Sequence, residues 1–170
     1  MRVYLIGYMG SGKSAHGKTL AKRLGFDFYD LDKLFETKYQ LSINDFFEKY
    51  GENLFRKIET EILESTLELD NCVISTGGGT ACFNENLKFI NSYGISVYLE
   101  LRPKSLYIRL KNSKKKRPLL MGCHNDELLN KIENQLKERE AFYKQAHYIV
   151  KGENLDVNEV VELLNNAIMM

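Results

Sequence analysis

The run Gly7-Tyr8-Met9-Gly10-Ser11-Gly12-Lys13-Ser14 has the residue types and spacing of a phosphate cradle. Glycines let backbone N–H groups converge on phosphate oxygens, and a helix starting at the run turns its positive end toward the same anion. Lys13 is then placed to reach the β- and γ-phosphates, and the Ser14 hydroxyl to coordinate Mg²⁺ bridging two of them. ATP with Mg²⁺ is the implied cofactor, and Gly7, Gly10, Ser11, Gly12, Lys13, Ser14 and Ala15 are its candidate contacts. The cradle by itself serves a kinase, a GTPase or a motor equally well, so the acceptor must be read from other residues.

Asp30-Leu31-Asp32 closes the second apolar run, where a period of two sends Asp30 and Asp32 to one side. Two carboxylates there suit the water shell of Mg²⁺ and a substrate hydroxyl, although an aspartate after a strand also simply caps the next helix. Arg56 and Glu59 stand three apart, and Glu59 falls on the stripe of Phe55, Ile62 and Thr66, where a charge needs a partner. A local Arg56–Glu59 ion pair meets that need. Arg139 shares a helical face with Ile132 and Leu136. It fits a snorkelling arginine as well as a fork around a substrate carboxylate. The triplet Gly77-Gly78-Gly79 exposes backbone amides to a ligand, or else makes a flexible turn.

These groups need a scaffold, and the pattern supplies one. Short apolar runs at 3–6, 26–29, 72–74, 97–101 and 148–150 alternate with helical periodicity at 13–24, 42–50, 52–69, a segment from about 126, and 157–168. Alternating strands and helices predict an α/β fold with a parallel sheet covered on both faces. Between 112 and 125 the periodicity stops, and Lys114-Lys115-Lys116-Arg117-Pro118 is cationic, which predicts a lid loop.

The chain has 170 residues, 44% of them hydrophobic and 28% charged, which fits one globular domain and excludes disorder as the main state. Lys and Arg number 24 against 23 Asp and Glu, so no global field grips nucleic acid or an anionic membrane. No apolar run is long enough for a membrane span or a signal peptide, and the expected location is cytoplasmic. Cys72, Cys82 and Cys123 lack the close pairs of a zinc or dithiol site and are expected to be inert thiols. His16, His124 and His147 match no motif.

Taken in order, four elements resemble the shikimate kinase family over nearly the whole chain. They are the cradle, Asp30-Leu31-Asp32, Phe55-Arg56-Lys57-Ile58-Glu59 with Gly77-Gly78-Gly79, and Arg117-Pro118-Leu119-Leu120 followed by Arg139. The resemblance implies a three-layer P-loop kinase fold with a five-stranded parallel sheet, a substrate-binding helical region at about 31–60 and a lid at about 112–125. It also implies transfer of the ATP γ-phosphoryl group to the 3-hydroxyl of shikimate by a monomer that needs neither nucleic acid nor membrane. By the same resemblance Asp32, Arg56, Gly77, Gly78, Gly79 and Arg139 bind shikimate, both arginines facing its carboxylate. Lys13, Asp32 and Arg117 are then catalytic, Arg117 closing over the phosphates, while Asp30 joins Ser14 near Mg²⁺ and Glu59 holds Arg56. The chain departs from the family at Ala15, where a threonine is common, and at Leu110, where some members set an arginine against adenine. Gly152-Glu153-Asn154-Leu155 lacks the proline some relatives place on the other adenine face, leaving Asn154 as the candidate there. Another small-molecule kinase, for gluconate or a nucleotide, is the nearest alternative. A nucleotide-dependent RNA-binding module is the alternative from a different class.

Overall fold

A computed structural model describes residues 1–113 and 125–168. Five strands form one all-parallel sheet in the order β2-β3-β1-β4-β5. They are β1 (Arg2–Ile6), β2 (Asp27–Asp30), β3 (Cys72–Ser75), β4 (Ile95–Glu100) and β5 (Tyr148–Lys151). The helices are α1 (Lys13–Leu24), α2 (Leu31–Tyr39), α3 (Ile43–Ser65), α4 (Asn86–Tyr93), α5 (Pro103–Lys111), α6 (Asn125–Tyr143) and α7 (Val157–Ile168).

Strand residues alternate between two cores, as a period of two requires. Val3, Leu5, Val73, Val97 and Leu99 pack against α1 and α7 through Leu20, Ala21, Val160 and Leu164. Tyr4, Ile6, Ile74 and Tyr98 face the other layer, where Phe35, Phe55, Ile62, Ile90 and Ile132 are buried. Burying each large apolar side chain contributes roughly 1.5–3 kcal/mol, so both helical layers are fixed by the sheet. The three-layer architecture agrees with the sequence expectation. Helices α4 and α5 were not foreseen; α5 begins with Pro103 at its first turn, a position that favours proline.

One detail departs from the sequence pattern. Asp32 does not continue β2: the strand stops at Asp30, whose side chain accepts from the Lys33 backbone N–H at 3.4 Å and starts α2. Asp30 and Asp32 are therefore related by a cap and a first helical turn, not by strand alternation. The expected helices at 42–50 and 52–69 are both present: α3 is two helices joined by a kink at Gly51, whose φ of 79° and ψ of 170° are not helical. Ser42 caps its start, accepting from Asp45 N at 3.1 Å, and its end tightens into a 3₁₀ turn at Thr66–Glu68.

Register brings the chemistry to one edge of the sheet. Asp30 pairs with Ser75, and Ser75 with Leu5, so the loops after β1, β2 and β3 leave side by side. Ligands of such sheets bind beyond the carboxyl ends of the strands, where the strand order reverses. Of the expected lid at about 112–125, residues 114–124, with Arg117, Cys123 and His124, lie outside the described residues.

Candidate active site

The loop after β1 is shaped by glycines in left-handed backbone, with φ of 137° at Gly7, 81° at Gly10 and 97° at Gly12. Gly12 immediately precedes α1, which has no side-chain cap and no acidic residue in its first turn. The positive end of the α1 dipole is thus left for an anion. Lys13, 7% exposed, donates its ammonium to the carbonyls of Gly7 at 2.7 Å and Tyr8 at 2.9 Å, which holds its charge against the loop. Gly7 and Ser11 are buried beneath the loop, whereas Gly10, Gly12, Lys13, Ser14 and Ala15 line a cavity of about 570 Å³.

Opposite the loop, the Ser14 hydroxyl donates to Asp30 Oδ2 at 2.5 Å and lies 3.2 Å from the Ser75 hydroxyl. Hydroxyl and carboxylate oxygens are the hard donors that Mg²⁺ prefers, so Ser14 and Asp30 fit that ion. Asp30 both caps α2 and faces Ser14, so the two readings of this aspartate are compatible.

A smaller pocket of about 70 Å³ adjoins the cavity, lined by Met9, Asp32, Ile43, Phe47, Phe55, Arg56, Glu59 and Gly77-Gly78-Gly79. Met9, Asp32 and Gly78 line both spaces, so Asp32 stands between phosphate cradle and acceptor pocket. None of the three glycines of the triplet has a positive φ. What it provides is room. A Cβ on Gly79 would lie 2.7 Å from Arg56 Nη2, one on Gly77 2.7 Å from Glu59 Oε1, and one on Gly78 2.8 Å from the Met9 backbone nitrogen.

Arg56 and Glu59 do form the local pair, at 2.7 Å, but both are buried and belong to a larger arrangement. Glu52 Oε1 accepts from Arg56 Nε and Nη2 at 3.2 and 3.0 Å, Thr80 donates to Glu59 Oε1 at 2.6 Å, and the Phe83 ring lies 4.3 Å from Cζ of Arg56. Burial pushes the Glu59 carboxyl above its ordinary range, with Arg56 and Thr80 acting in the opposite direction. Arg139 approaches from α6, its Nη1 donating to the Gly78 carbonyl at 3.5 Å. Tyr143 donates to the same carbonyl, and the Tyr8 ring lies 5.5 Å from Cζ of Arg139. The two guanidinium groups therefore meet the same stretch of backbone, Gly78-Gly79, from α3 and α6.

The residues expected to contact adenine lie as follows. Leu110 packs on Gly10, and Arg109 reaches the Ser11 carbonyl at 3.0 Å and the Gly152 carbonyl at 3.3 Å. Asn154 is exposed at φ 56° and is not among the residues lining the cavity. Its turn is fastened by its neighbours instead: Gly152 accepts from Arg109, and Glu153 accepts from Arg102 N at 2.9 Å and Ser105 Oγ at 2.8 Å. Arg109 is the arginine that stands next to Leu110 in the sequence; Tyr8, Glu52, Thr80, Phe83 and Tyr143 are not singled out by it. Only Glu52, four residues before Arg56, carried a local signal. Burial pushes the Cys82 thiol up to about 11 and raises that of Cys72, which leaves both as poor nucleophiles. Among the described residues no group of three or more His, Cys, Asp or Glu is placed to hold a metal, and no helix is long and apolar enough to cross a membrane.

A phosphate loop at the switch point of a parallel sheet, opening onto an acceptor pocket beside it, defines the class as P-loop kinase. Comparison with known proteins narrows the class. The family model described as shikimate kinase matches residues 9–168, and the chain belongs to that family. It is 40% identical over 162 residues to the shikimate kinase of Bacteroides fragilis, covering 95% of this chain and 90% of that protein. The crystal structure of shikimate kinase from Bacteroides thetaiotaomicron superposes with a TM-score of 0.90 at 37% identity, covering 100% of this chain and 99% of that one. Shikimate kinase from Acinetobacter baumannii, solved in complex with shikimate, gives a TM-score of 0.89 at 33% identity, covering 98% and 93%.

Proposed function

We propose that the chain transfers the γ-phosphoryl group of ATP to the 3-hydroxyl of shikimate, giving shikimate 3-phosphate. The observation that carries this is the meeting of Arg56 and Arg139 on the Gly78-Gly79 backbone, beside a pocket that Arg56 lines and that shares Asp32 with the phosphate cavity. Two guanidinium groups suit a carboxylate, and a ring anchored there by its acid presents its hydroxyls to Asp32. The relative from Acinetobacter baumannii in complex with shikimate supports the same acceptor.

In this mechanism Arg56 and Arg139 bind the carboxylate, and Gly77, Gly78 and Gly79 form the wall against which the ring lies. Glu59 holds Arg56 in place through the 2.7 Å pair. Asp32 orients the attacking hydroxyl and accepts its proton. Lys13 turns from the loop carbonyls to the phosphates and stabilises charge on the transferring group, and Arg117 of the lid adds a second cation there. Ser14 and Asp30 would hold Mg²⁺, which when bound neutralises charge between neighbouring phosphates. Gly10, Gly12, Ser14 and Ala15 contact the nucleotide phosphates, and Arg109 borders the nucleotide end of the cavity. Positioning and electrostatics provide the catalysis, so no protein nucleophile is required. The chain works as a single domain over 1–170 and as a cytoplasmic monomer.

The test is a Mg-ATP assay over shikimate, gluconate and nucleoside monophosphates. Shikimate is expected to be the best acceptor by kcat/KM; any other ranking overturns the assignment.

A further inference from the structure

The two arginines that meet the Gly78-Gly79 backbone differ in how their charge is compensated. Arg56 faces two carboxylates, Glu52 and Glu59. Arg139 is 9% exposed yet, among the described residues, pairs with no carboxylate. Its neighbours are the face of Tyr8, the Gly78 carbonyl at the outer limit of a hydrogen bond, the Tyr143 hydroxyl and the Cys82 thiol, none of them a carboxylate. An aromatic face supports a cation without cancelling its charge, as a carboxylate would. Arg139 thus keeps its charge for an incoming anion, while Arg56 shares its charge with Glu52 and Glu59.

Tyr8 is held in a way that makes this support rigid. Its ring is 1% exposed, and its hydroxyl donates to Gln135 Oε1 at 2.6 Å, one helical turn before Arg139 on α6. The ring is therefore pinned to the same helix that carries the guanidinium it faces. At its backbone, Tyr8 belongs to the phosphate loop and accepts from Lys13 Nζ at 2.9 Å. One residue touches both the phosphate-binding lysine and the uncompensated arginine.

We infer that Tyr8 is a positioning residue whose ring holds the Arg139 guanidinium at the acceptor pocket and so sets the preference for a carboxylate over a neutral group on the acceptor. The inference rests on the carboxylated acceptor proposed above. The geometry assigns Tyr8 no contact with reacting atoms; it acts through Arg139.

Calorimetric titration of shikimate and of its neutral carboxamide, both with ADP present, tests this on the parent chain, Tyr8→Met, Tyr8→Phe and Gln135→Ala. Methionine fills the volume without an aromatic face. The acid-over-amide preference is expected to fall roughly 2- to 30-fold in Tyr8→Met, the range of a cation–π contact. Tyr8→Phe, which keeps the face, is expected to recover most of that preference, and Gln135→Ala, which frees the ring, to lie between. Equal weakening of acid and amide in Tyr8→Met would mean mere packing and overturns the inference, as does an unchanged preference. Should Tyr8→Met not fold, Gln135→Ala decides, since it leaves the loop untouched: a reduced preference supports the role and an unchanged one overturns it. A parent chain without acid preference contradicts the carboxylated acceptor itself, and the inference with it, whereas a preference that survives loss of the ring contradicts only the role of Tyr8.

Discussion

Replacing Gly79 by alanine isolates what the glycine triplet is for. Gly79 sits at φ −102° and ψ −11°, a backbone that alanine adopts without strain, so any effect comes from the added methyl. That methyl would lie 2.7 Å from Arg56 Nη2 and 3.0 Å from Cζ and Nη1. Restoring ordinary contact at roughly 3.5 Å requires the guanidinium to retreat by ~0.8 Å. It has little freedom to do so, being held by Glu59 at 2.7 Å and Glu52 at 3.0 Å and covered by Phe83. Overpacking of this kind costs about 1–3 kcal/mol. At roughly 2–4 °C per kcal/mol for a chain of this size, the melting temperature is expected to fall by about 2–12 °C. Misplacing a binding group by about 1 Å lowers turnover by up to ~100-fold, so kcat/KM for shikimate should drop roughly 10- to 100-fold. ADP binding at the phosphate loop, measured by calorimetry on the same variant, should be unchanged. Unchanged kcat/KM, or a parallel loss of ADP binding, would refute the assignment of the triplet as the wall that seats Arg56.

Two further predictions address the reacting hydroxyl and the loop. Asp32→Asn keeps the shape of the residue that both spaces share but removes the proton acceptor, so kcat should fall about 10²- to 10⁴-fold while shikimate still binds; a steady-state assay beside a binding titration checks this, and retained kcat contradicts it. Burial, with a contribution from Arg109, lowers the pKa of His16 below its ordinary value. The unfolded chain therefore binds the proton more readily, and stability is lost as pH falls from about 6.5 through the lower folded value. In nucleotide-free melts, His16→Gln should gain on the parent between about pH 7.5 and about pH 5.5, and a gap constant across that range contradicts the shift.

What could be read from the sequence follows how local each signal is. The phosphate loop and the five strands are contiguous patterns, and both are where the spacing put them. Glu59 on an apolar stripe correctly announced a buried charge with a partner, because helical period alone decides which face a residue shares. Strand alternation does not carry Asp32 to the cavity; the alternative reading of an aspartate as helix cap does, because Asp30 ends β2 and starts α2. The triplet reads in sequence as exposed amides or a flexible turn; that its absent side chains make room for Arg56, Glu59 and Met9, residues far away in sequence, leaves no local signal. Likewise nothing near Tyr8 announces Gln135 or Arg139, since that contact exists only once α6 packs against the loop. Close approaches between distant segments are set by packing and leave no periodic trace.

The most direct measurement is a crystal structure of the chain with ADP and shikimate bound. The account predicts the acid's carboxylate within hydrogen-bond distance of both Arg56 and Arg139, its ring against Gly78-Gly79, and its 3-hydroxyl turned to Asp32. Shikimate seated elsewhere, or in the pocket with its carboxylate away from both arginines, would contradict it.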